Sequence, residues 1–593
     1  MTHAESVLSS CDRWAAAWSP PDRRPIYEWA RENIILPDSY SKAGPFQPSG
    51  WMLPVFDALQ NMRVRRVHLR KAVQQAGTLV ADVWLQWIIN NDPGPVSWTM
   101  QKDDAMGIHL KTRVWPTMEA CKATRAKLPP EGKMRTLEAV YFGGFFVIFT
   151  AANVGSQQSV SIRYKINDEI WMDKWQDVYA DAIARVTAYE REGISKIFNV
   201  SQAGVVDDIE DKSFRDGDQG ELNITCPHCG KSTPLVFDIL REDKSHAGIV
   251  WNPDAKGADG LFNVARAMET CRYQCLHCRG ESLESEKTRQ QWNSTHHFIS
   301  ANLGAPEAIR SFHIESLTND KIETIVERFC AAFNEQRRGL DDGMKKFLQK
   351  YRALPWAEKG DSVDLRGGTA VDAYRYEDYR NGILWDNEKM RFMSIDRQKD
   401  HFWVEINAWR ENGDSRQILY ARVKFIEEAR EIQLRYKVKD KMVSEDCGYM
   451  PSAAYDDCVR FGWIAFRGER QKEFIHYKNE VVIKNPYYSP MQPIEHKGVN
   501  LWKISFSADN CKDVLARIMQ GKTLLRRDFP TDVSGEYMKQ VNAEQKLRQP
   551  SGEWRWQKVP DGAPNHGWDT SVAQIVFALN HGFIKSENEK ESA

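Results

Sequence analysis

The chain has 593 residues, more than one hydrophobic core usually organises, so we expect two or three domains. Lysine and arginine total 81 and aspartate and glutamate total 82, so net charge does not point to a nucleic-acid partner, although it leaves room for a local basic groove. No apolar run reaches membrane-spanning length and the N-terminus has no signal-peptide core, which predicts a cytosolic protein without a membrane partner.

Residues 1–50 are polar and carry several prolines, and we interpret them as an adaptor segment. An α/β pattern follows: a strand at "RVHLR", a turn over 71–77, an apolar helix ending before "NDPGP", and the strand "VSWTM". Further strand-like runs are "FGGFFVIFTAAN", "YKIND" and "SKIFNVS". These runs predict one domain over residues 51–330.

The turn after the first of these strands has the position of a phosphate-binding loop. Such a loop needs glycine for close backbone approach, a lysine for phosphate charge and a hydroxyl for magnesium. The usual GxxxxGK[ST] pattern is absent, but Lys71 begins the turn and Gly77 and Thr78 end it. On these letters alone, an ordinary turn between a strand and a helix is the simpler interpretation.

The strand-like segment "YKIND" ends at Asp168 and continues into Glu169. An acid at the end of such a strand can hold magnesium, and a second acid can orient and polarise the attacking water. Two solvated carboxylates are the alternative. The acidic pair therefore indicates a magnesium and nucleotide site only together with the preceding loop.

Residues 220–285 are rich in cysteine, histidine and glycine, and contain two CxxC pairs at Cys226/Cys229 and Cys275/Cys278. Four thiolates form a tetrahedral zinc site with no open position, so the site would be structural. The alternative is two unrelated reduced pairs, and the alternative ligands are Cys271, His228 and His277.

A linker is expected over 331–387, and a second α/β pattern begins at 388 and ends with the helix-like "DTSVAQIVFALNHGF". We predict a domain over 388–585 and a disordered tail over 586–593. Asp396, in "RFMSIDRQ", follows an apolar run there, and by itself it is either an ordinary strand-end acid or a metal ligand.

The order of these features resembles the large terminase subunit of tailed phages, of the lambda-like type. The features are the early loop lysine in "KAVQQAGT", the Asp-Glu pair, the polar strand end "NVSQAG", the CPxCG and CxxC pairs, and "SIDRQ". The resemblance implies an N-terminal P-loop-type ATPase domain with a zinc-ribbon-like insertion and a C-terminal RNase H-like nuclease domain. It extends over residues 25–585.

The resemblance also implies site residues, position by position. Lys71 matches the phosphate-loop lysine, Thr78 the magnesium-ligand hydroxyl, and Asp168 and Glu169 the magnesium-holding and catalytic acids. Ser201 matches the motif that couples hydrolysis to movement.

An RNase H-like nuclease uses two magnesium or manganese ions, which need several carboxylates. The acids implied here are Asp396, Asp446 and Asp569. Glu445 competes with Asp446, and because neighbours on a strand face opposite sides, only one of them can line the site. The family often has a further acid near the position of Asn565, and this sequence has no acid there. His566 is either a site residue or a surface histidine.

The implied function is ATP-driven translocation of double-stranded DNA into a procapsid, with metal-dependent cutting of concatemeric DNA. The implied partners are DNA, a small terminase subunit and the portal, in a homo-oligomeric ring in the host cytoplasm. Two alternatives stay open. One is a nuclease with a degenerate or regulatory nucleotide-binding domain, and the other is a non-catalytic zinc-ribbon DNA-binding scaffold.

Overall fold

The computed structural model describes residues 22–101, 103–153, 160–357, 374–380, 385–478, 481–549 and 554–585. The predicted tail 586–593 therefore lies outside the described residues. The chain divides into two compact units. Unit 1 consists of Met1–Ala255, Val264–Glu327 and Lys346–Ala357, and unit 2 of Lys256–Asn263, Arg328–Lys345 and Glu358–Ala593.

The strands of unit 1 are β1 (Ile35–Leu36), β2 (Gly44–Pro45), β3 (Arg66–Lys71), β4 (Val96–Met100), β5 (Ala139–Tyr141), β6 (Phe146–Ala151), β7 (Tyr164–Asp168), β8 (Lys196–Ser201), β9 (Gly220–Thr225), β10 (Ser232–Pro234), β11 (Asp238–Leu240), β12 (His246–Val250), β13 (Arg272–Gln274), β14 (Glu281–Ser282), β15 (His297–Ser300) and β16 (Ile309–Ile314). Its helices are Ile26–Asn33, Met52–Gln60, Gly77–Asn91, Asp103–His109, Trp115–Ala120, Lys122–Arg125, Asp173–Ala184, Thr187–Arg191, Ile209–Arg215, Val264–Thr270 and Glu286–Ser294.

Unit 1 is built on a ten-stranded sheet with the order β10-β9-β16-β3-β8-β7-β4-β6-β5, and β15 pairs with β9. The six strands from β16 to β6 run parallel, so their carboxyl ends lie along one edge. Strands β3, β7 and β8 are buried almost throughout, as expected for parallel strands covered on both faces. Ligands of open α/β sheets bind at such a carboxyl edge.

The predicted boundaries within unit 1 differ from the observed elements in two places. From residue 22, the segment predicted as an adaptor contains the helix Ile26–Asn33, which packs against the helix Gly77–Asn91. The predicted insertion 220–285 begins with β9 and β10, which belong to the main sheet, whereas β11–β14 form a separate four-stranded sheet.

The strands of unit 2 are β17 (Glu388–Arg397), β18 (Phe402–Arg410), β19 (Ser415–Val423), β20 (Val443–Asp446), β21 (Ile464–Glu469), β22 (Phe474–Lys478), β23 (Val481–Asn485), β24 (Gln492–His496), β25 (Val499–Ser507), β26 (Arg527–Asp528), β27 (Glu544–Arg548) and β28 (Trp554–Lys558). Its helices are Tyr376–Arg380, Ile426–Arg435, Pro451–Phe461, Ala508–Met519, Gly535–Val541 and His566–Asn580. The helices Ile322–Arg337 and Asp342–Lys350 lie where the chain passes between units, so helix occupies part of the predicted linker 331–387.

Unit 2 is built on an eight-stranded sheet with the order β24-β25-β21-β20-β17-β18-β19-β26. Strands β17, β18 and β19 form an antiparallel meander, and β20 and β21 then add parallel to β17. The helix His566–Asn580 packs on β17 and β18 and is buried along most of its length. This packing brings the C-terminal end of the chain onto the first strands of the unit.

No helix in the part of the chain that the structure describes is both long and apolar enough to cross a membrane.

Candidate functional sites

The first candidate site lies at the carboxyl edge of the unit 1 sheet. Strand β3 ends at Lys71, β8 at Ser201 and β7 at Asp168, and β8 lies between the other two. The helix that follows β3 begins at Gly77 and presents its first backbone N–H groups to this edge, an arrangement that favours anions. The predicted loop and acidic residues therefore meet at one place.

The loop from Ala72 to Ala76 has an unusual backbone conformation. Gln74 and Ala76 have φ angles of 56° and 53°, a left-handed conformation that non-glycine residues rarely adopt. The N–H groups of Ala72 and Val73 donate to backbone carbonyls at 2.9 and 2.8 Å, which anchors the start of the loop. A Cβ at Gly77 would lie 2.6 Å from Cδ of Lys71 and 2.8 Å from Cγ1 of Val200, so a larger residue there would displace the lysine where it crosses the helix start.

Lys71 and the acidic pair form a direct charge contact. Lys71 Nζ lies 2.9 Å from Glu169 Oε1, and Thr78 Oγ1 donates to Asp168 Oδ2 over 3.3 Å. Burial and the neighbouring Glu169 raise the pKa of Asp168 to about 7, while Lys71 holds the pKa of Glu169 below its usual value against the effect of burial. Asp168 Oδ1 is buried and has no hydrogen-bond partner among the described residues, so it is available to a cation.

Two further groups hold Glu169, and sequence reasoning missed both. Trp171 Nε1 donates to Glu169 Oε2 over 2.6 Å, and the N–H of Gln202 donates to the same oxygen over 3.2 Å. Ser201 Oγ accepts from the N–H of Trp171 over 3.1 Å, so the end of β8 is joined to the acidic pair. In the sequence, the only indication that Trp171 contacts Glu169 is that the two residues are two positions apart.

The second candidate site is the cysteine cluster of unit 1. Cys226 and Cys229 lie on the β9–β10 turn, and Cys275 and Cys278 on the β13–β14 turn, so the cluster joins the main sheet to the four-stranded sheet. All four sulfurs lie within 4.8 Å of one another, with Cys226–Cys278 and Cys229–Cys275 separations of 3.8 and 3.9 Å. These separations are too long for disulfides and match the ~3.8 Å between sulfurs bound tetrahedrally to zinc.

The alternative ligands near the cluster are occupied elsewhere. His228 Nε2 donates to the carbonyl of Glu281 over 2.9 Å, His277 Nε2 donates to that of Ser232 over 2.8 Å, and Cys271 Sγ donates to that of Met268 over 3.0 Å. Backbone N–H groups approach the cluster sulfurs, and against the effect of burial they lower the pKa of Cys275 to about 7. The donor set therefore fits a thiophilic divalent ion such as zinc.

The third candidate site is in unit 2 and contains the three predicted aspartates. Asp396 lies near the carboxyl end of β17 and Asp446 at that of the parallel neighbour β20, where the register Ile395↔Glu445 makes them direct neighbours. Adjacent strands are about 4.8 Å apart, so the two carboxylates share one face. Asp569 lies in the first turn of the helix His566–Asn580.

The competing acid Glu445 faces the other side of the sheet. Its carboxylate accepts from Arg397 Nε over 2.8 Å, and its side chain is fully buried there. Asp446 instead lies near Asp396, whose charge adds to the effect of burial and raises the pKa of Asp446 to about 6. The geometry therefore pairs Asp446, rather than Glu445, with Asp396.

The three aspartates are spaced more widely than the cysteines. Among the described residues, the four cysteines are the one group of three or more potential ligands whose donor atoms all lie within 4.8 Å of one another. Even so, burial together with Asp396 and Asp446 raises the pKa of Asp569 to about 7 although Lys512 opposes it, so the three acids interact. All of their donor atoms are carboxylate oxygens, which suits hard divalent ions that are each bound by two neighbouring carboxylates.

Neighbouring side chains fix Asp396 and Asp569. Asp396 Oδ2 accepts from Gln398 Nε2 over 2.9 Å and from His566 Nδ1 over 2.7 Å, and the His566 ring stacks on Trp403 with an interplanar angle of 13°. Thr570, the residue after Asp569, donates to the buried Glu405 of β18 over 2.7 Å, which fastens this helix to the sheet. His566 is thus a contact of the carboxylate site rather than a surface histidine.

Comparisons with known proteins identify the two units. The ATPase domain model of the phage terminase large subunit gpA matches residues 42–294, and the endonuclease domain model of the same subunit matches residues 309–431 and 453–587. Together these ranges take in most of the chain. The chain belongs to the phage terminase large subunit family.

The predicted fold class is confirmed for this terminase subunit: an α/β chain with an N-terminal ATPase domain and a C-terminal nuclease domain. The predicted function is confirmed as well, because these domains make the subunit part of the DNA-packaging motor and an endonuclease that cuts concatemeric DNA.

Solved terminases are also similar in structure at low identity. The large terminase of a thermophilic bacteriophage has 10% identity and a TM-score of 0.33, over 90% of this chain and 99% of that chain. The HK97 large terminase has 10% identity and a TM-score of 0.34, over 94% and 99%. The ATPase domain of the Thermus phage P74-26 large terminase has 12% identity and a TM-score of 0.30, over 52% and 94%. No curated protein sequence matches.

Proposed function

We propose that the carboxyl edge of the unit 1 sheet is the ATP-hydrolysing site of the motor. Lys71 would leave Glu169 and hold the terminal phosphates, and Thr78 and Asp168 would hold the magnesium ion that accompanies ATP. Glu169 would then orient the attacking water. The observation that carries this proposal is the convergence of Lys71, Thr78 and the acidic pair at one edge, with Asp168 Oδ1 unpartnered among the described residues.

Ser201 is proposed as the coupling residue. Its hydroxyl accepts from the N–H of Trp171 and donates to the carbonyl of Gln202 over 2.8 Å, and both residues also contact Glu169. Movement of the glutamate towards ATP would break these contacts and shift the end of β8. In this way the state of the nucleotide would reach the rest of the unit.

The carboxylate cluster of unit 2 is proposed as the nuclease centre, with Asp396, Asp446 and Asp569 sharing magnesium or manganese. When bound there, the metal ions would supply an activated water and would stabilise the leaving oxygen of the cut phosphodiester. Asp396 and Asp446 would hold one position through adjacent strands, and Asp569 would complete the site from its helix. Gln398 and His566 keep the Asp396 carboxylate in one orientation.

The cysteine cluster is proposed to bind structural zinc, with Cys226, Cys229, Cys275 and Cys278 as the four ligands. Translocation is proposed to take place in a homo-oligomeric ring on the portal of the procapsid in the host cytoplasm. The proposed partners are double-stranded DNA and the small terminase subunit. We assign the contact with the small subunit to residues 1–50, by family analogy only.

ATP hydrolysis by the full chain with double-stranded DNA tests the motor proposal. Lys71→Ala should lower the rate by about a hundredfold or more, since it removes the cation that binds the phosphates. Lys174→Ala, at an exposed position of the helix Asp173–Ala184, is the matched control and should match wild type. Undiminished hydrolysis in Lys71→Ala refutes the site, and DNA cutting without any wild-type hydrolysis favours a nuclease with a regulatory nucleotide domain.

A further inference from the structure

A nearly buried lysine lies beside the proposed nuclease centre and has no role in the mechanism above. Lys512 belongs to the helix Ala508–Met519, which packs against the helix that carries Asp569. Its Nζ lies 2.7 Å from Glu544 Oε2, and the two side chains are only 14% and 4% exposed. Lysine is rarely buried to this extent without a specific partner.

Glu544 connects this lysine to the start of the Asp569 helix. Its second oxygen, Oε1, accepts from Asn565 Nδ2 over 2.6 Å, and the Asn565 carbonyl accepts from the N–H of Asp569 over 3.0 Å. Both oxygens of Glu544 are therefore engaged. Glu544 is accordingly better placed to hold Lys512 than to act as a fourth metal ligand in the place left by Asn565.

The charges around Asp569 show why such a cation matters. Glu544, Asp396 and Asp446 add negative charge around Asp569, and Lys512, which Glu544 holds beside the start of the same helix, is the cation that opposes them. Three carboxylates in a poorly solvated place repel one another unless positive charge is present. Lys512 supplies part of that charge from within the chain.

We propose that Lys512 is a resident cation of the nuclease centre: held by Glu544, it offsets the charge of the three aspartates and raises the divalent-ion concentration at which the site fills. The proposal rests on the nuclease function proposed above. Lys512 contacts Glu544 and acts on the aspartates only through its charge. It is therefore a positioning residue and not a catalytic one. A purely structural role, in which the ion pair only fastens β27 to the helix, would leave metal affinity unchanged.

Manganese binding to the full chain, followed by calorimetry, tests this inference without relying on catalysis. Lys512→Met removes the repelling charge and should lower the half-saturating manganese concentration by about tenfold. Lys512→Arg keeps the charge and should stay within about twofold of wild type. Glu544→Gln leaves the lysine charge uncompensated and should weaken binding, and the double variant Lys512→Met/Glu544→Gln should lie between the single variants.

Lys546→Met is the matched control, because Lys546 lies on the same strand β27 as Glu544 and is also held by an acid, Asp513 at 2.8 Å. The opposite signs expected for Lys512→Met and Glu544→Gln separate electrostatics from instability, which would weaken binding in both. Unchanged affinity in Lys512→Met, or weaker affinity in both variants, overturns the inference. Manganese binding that Asp396→Asn does not reduce refutes instead the nuclease centre itself.

Discussion

The nucleotide site and the nuclease site both place acids at the carboxyl ends of parallel strands, but they balance the negative charge differently. In the nucleotide site, Lys71 touches Glu169 directly at 2.9 Å. In the nuclease site, Asp396, Asp446 and Asp569 have no comparable direct lysine partner among the described contacts, since Lys512 pairs with Glu544 instead. The first site is therefore neutralised by a lysine in direct contact with its acid, whereas in the second the proposed neutralising lysine acts without touching the three aspartates.

The largest expected effect separates the two sites by substitution. Asp396→Asn should reduce manganese-dependent cutting of plasmid DNA by about a thousandfold, because it removes a carboxylate from the metal site, and should leave ATP hydrolysis intact. Glu169→Gln should do the reverse. Gel assays of cutting and phosphate-release assays on both variants measure the two activities.

Asp400→Asn is the control for the first variant, since this exposed acid lies four residues further on and contacts His401. Full cutting by Asp396→Asn, or loss of both activities in either variant, would show that the two sites do not carry separate activities.

The strands that build both sites could be predicted from local patterns. "RVHLR" and "YKIND" alternate apolar and polar residues over the length of a strand and "RFMSID" is mostly apolar, and the structure has β3, β7 and β17 there. The Asp-Glu pair and the two CxxC pairs each place their chemical groups within four consecutive residues, so their positions could be read directly from the sequence. The assigned roles of these residues stay predictions.

The contacts that tune the sites could not be predicted from the sequence. Lys512 and Glu544 are 32 residues apart and come together only through packing of a helix and β27. His566 contacts Asp396 although the two residues are 170 positions apart in the sequence. His566 also stacks on Trp403, because the β17–β18 register places Trp403 opposite Asp396. The insertion was predicted from residue 220 on composition alone, and composition does not reveal that β9 and β10 pair into the main sheet.

A second, smaller effect concerns the cysteine cluster of unit 1. Cys229→Ser should remove about one zinc per chain and lower the thermal unfolding temperature of the ATPase unit by several degrees, because the metal joins two sheets. The nuclease unit, which lacks such a cluster among its described residues, should unfold as before. Metal content by atomic absorption and scanning calorimetry measure both effects.

Cys271→Ser is the matched control, since its sulfur contacts the carbonyl of Met268 and lies outside the cluster. Equal zinc content in Cys229→Ser and wild type would show that the cluster holds no zinc.

The smallest effect is a pH dependence confined to unit 1. Lys165 is fully buried on β7 between Ser97 and Thr99, and burial lowers its pKa to about 7 from 10.5. Between these values the unfolded chain binds more protons than the folded chain, so stability rises with pH by at most about 1.4 kcal/mol per unit.

Lys165→Met should flatten this rise between pH 7 and 10, as measured by urea unfolding of the variant and wild type. Lys174→Met, at an exposed position, should keep it. An equal slope in Lys165→Met and wild type would show that the lysine is charged in the folded unit.

Asp396, Asp446 and Asp569 are proposed to bind divalent ions together, and anomalous diffraction from crystals of the full chain soaked in manganese would locate those ions. Two manganese peaks about 4 Å apart are expected. Each should touch at least one of these aspartates, and one of them should be shared between Asp396 and another of the three. Manganese bound elsewhere, or no peak at the three carboxylates, would show that these aspartates do not form a metal site.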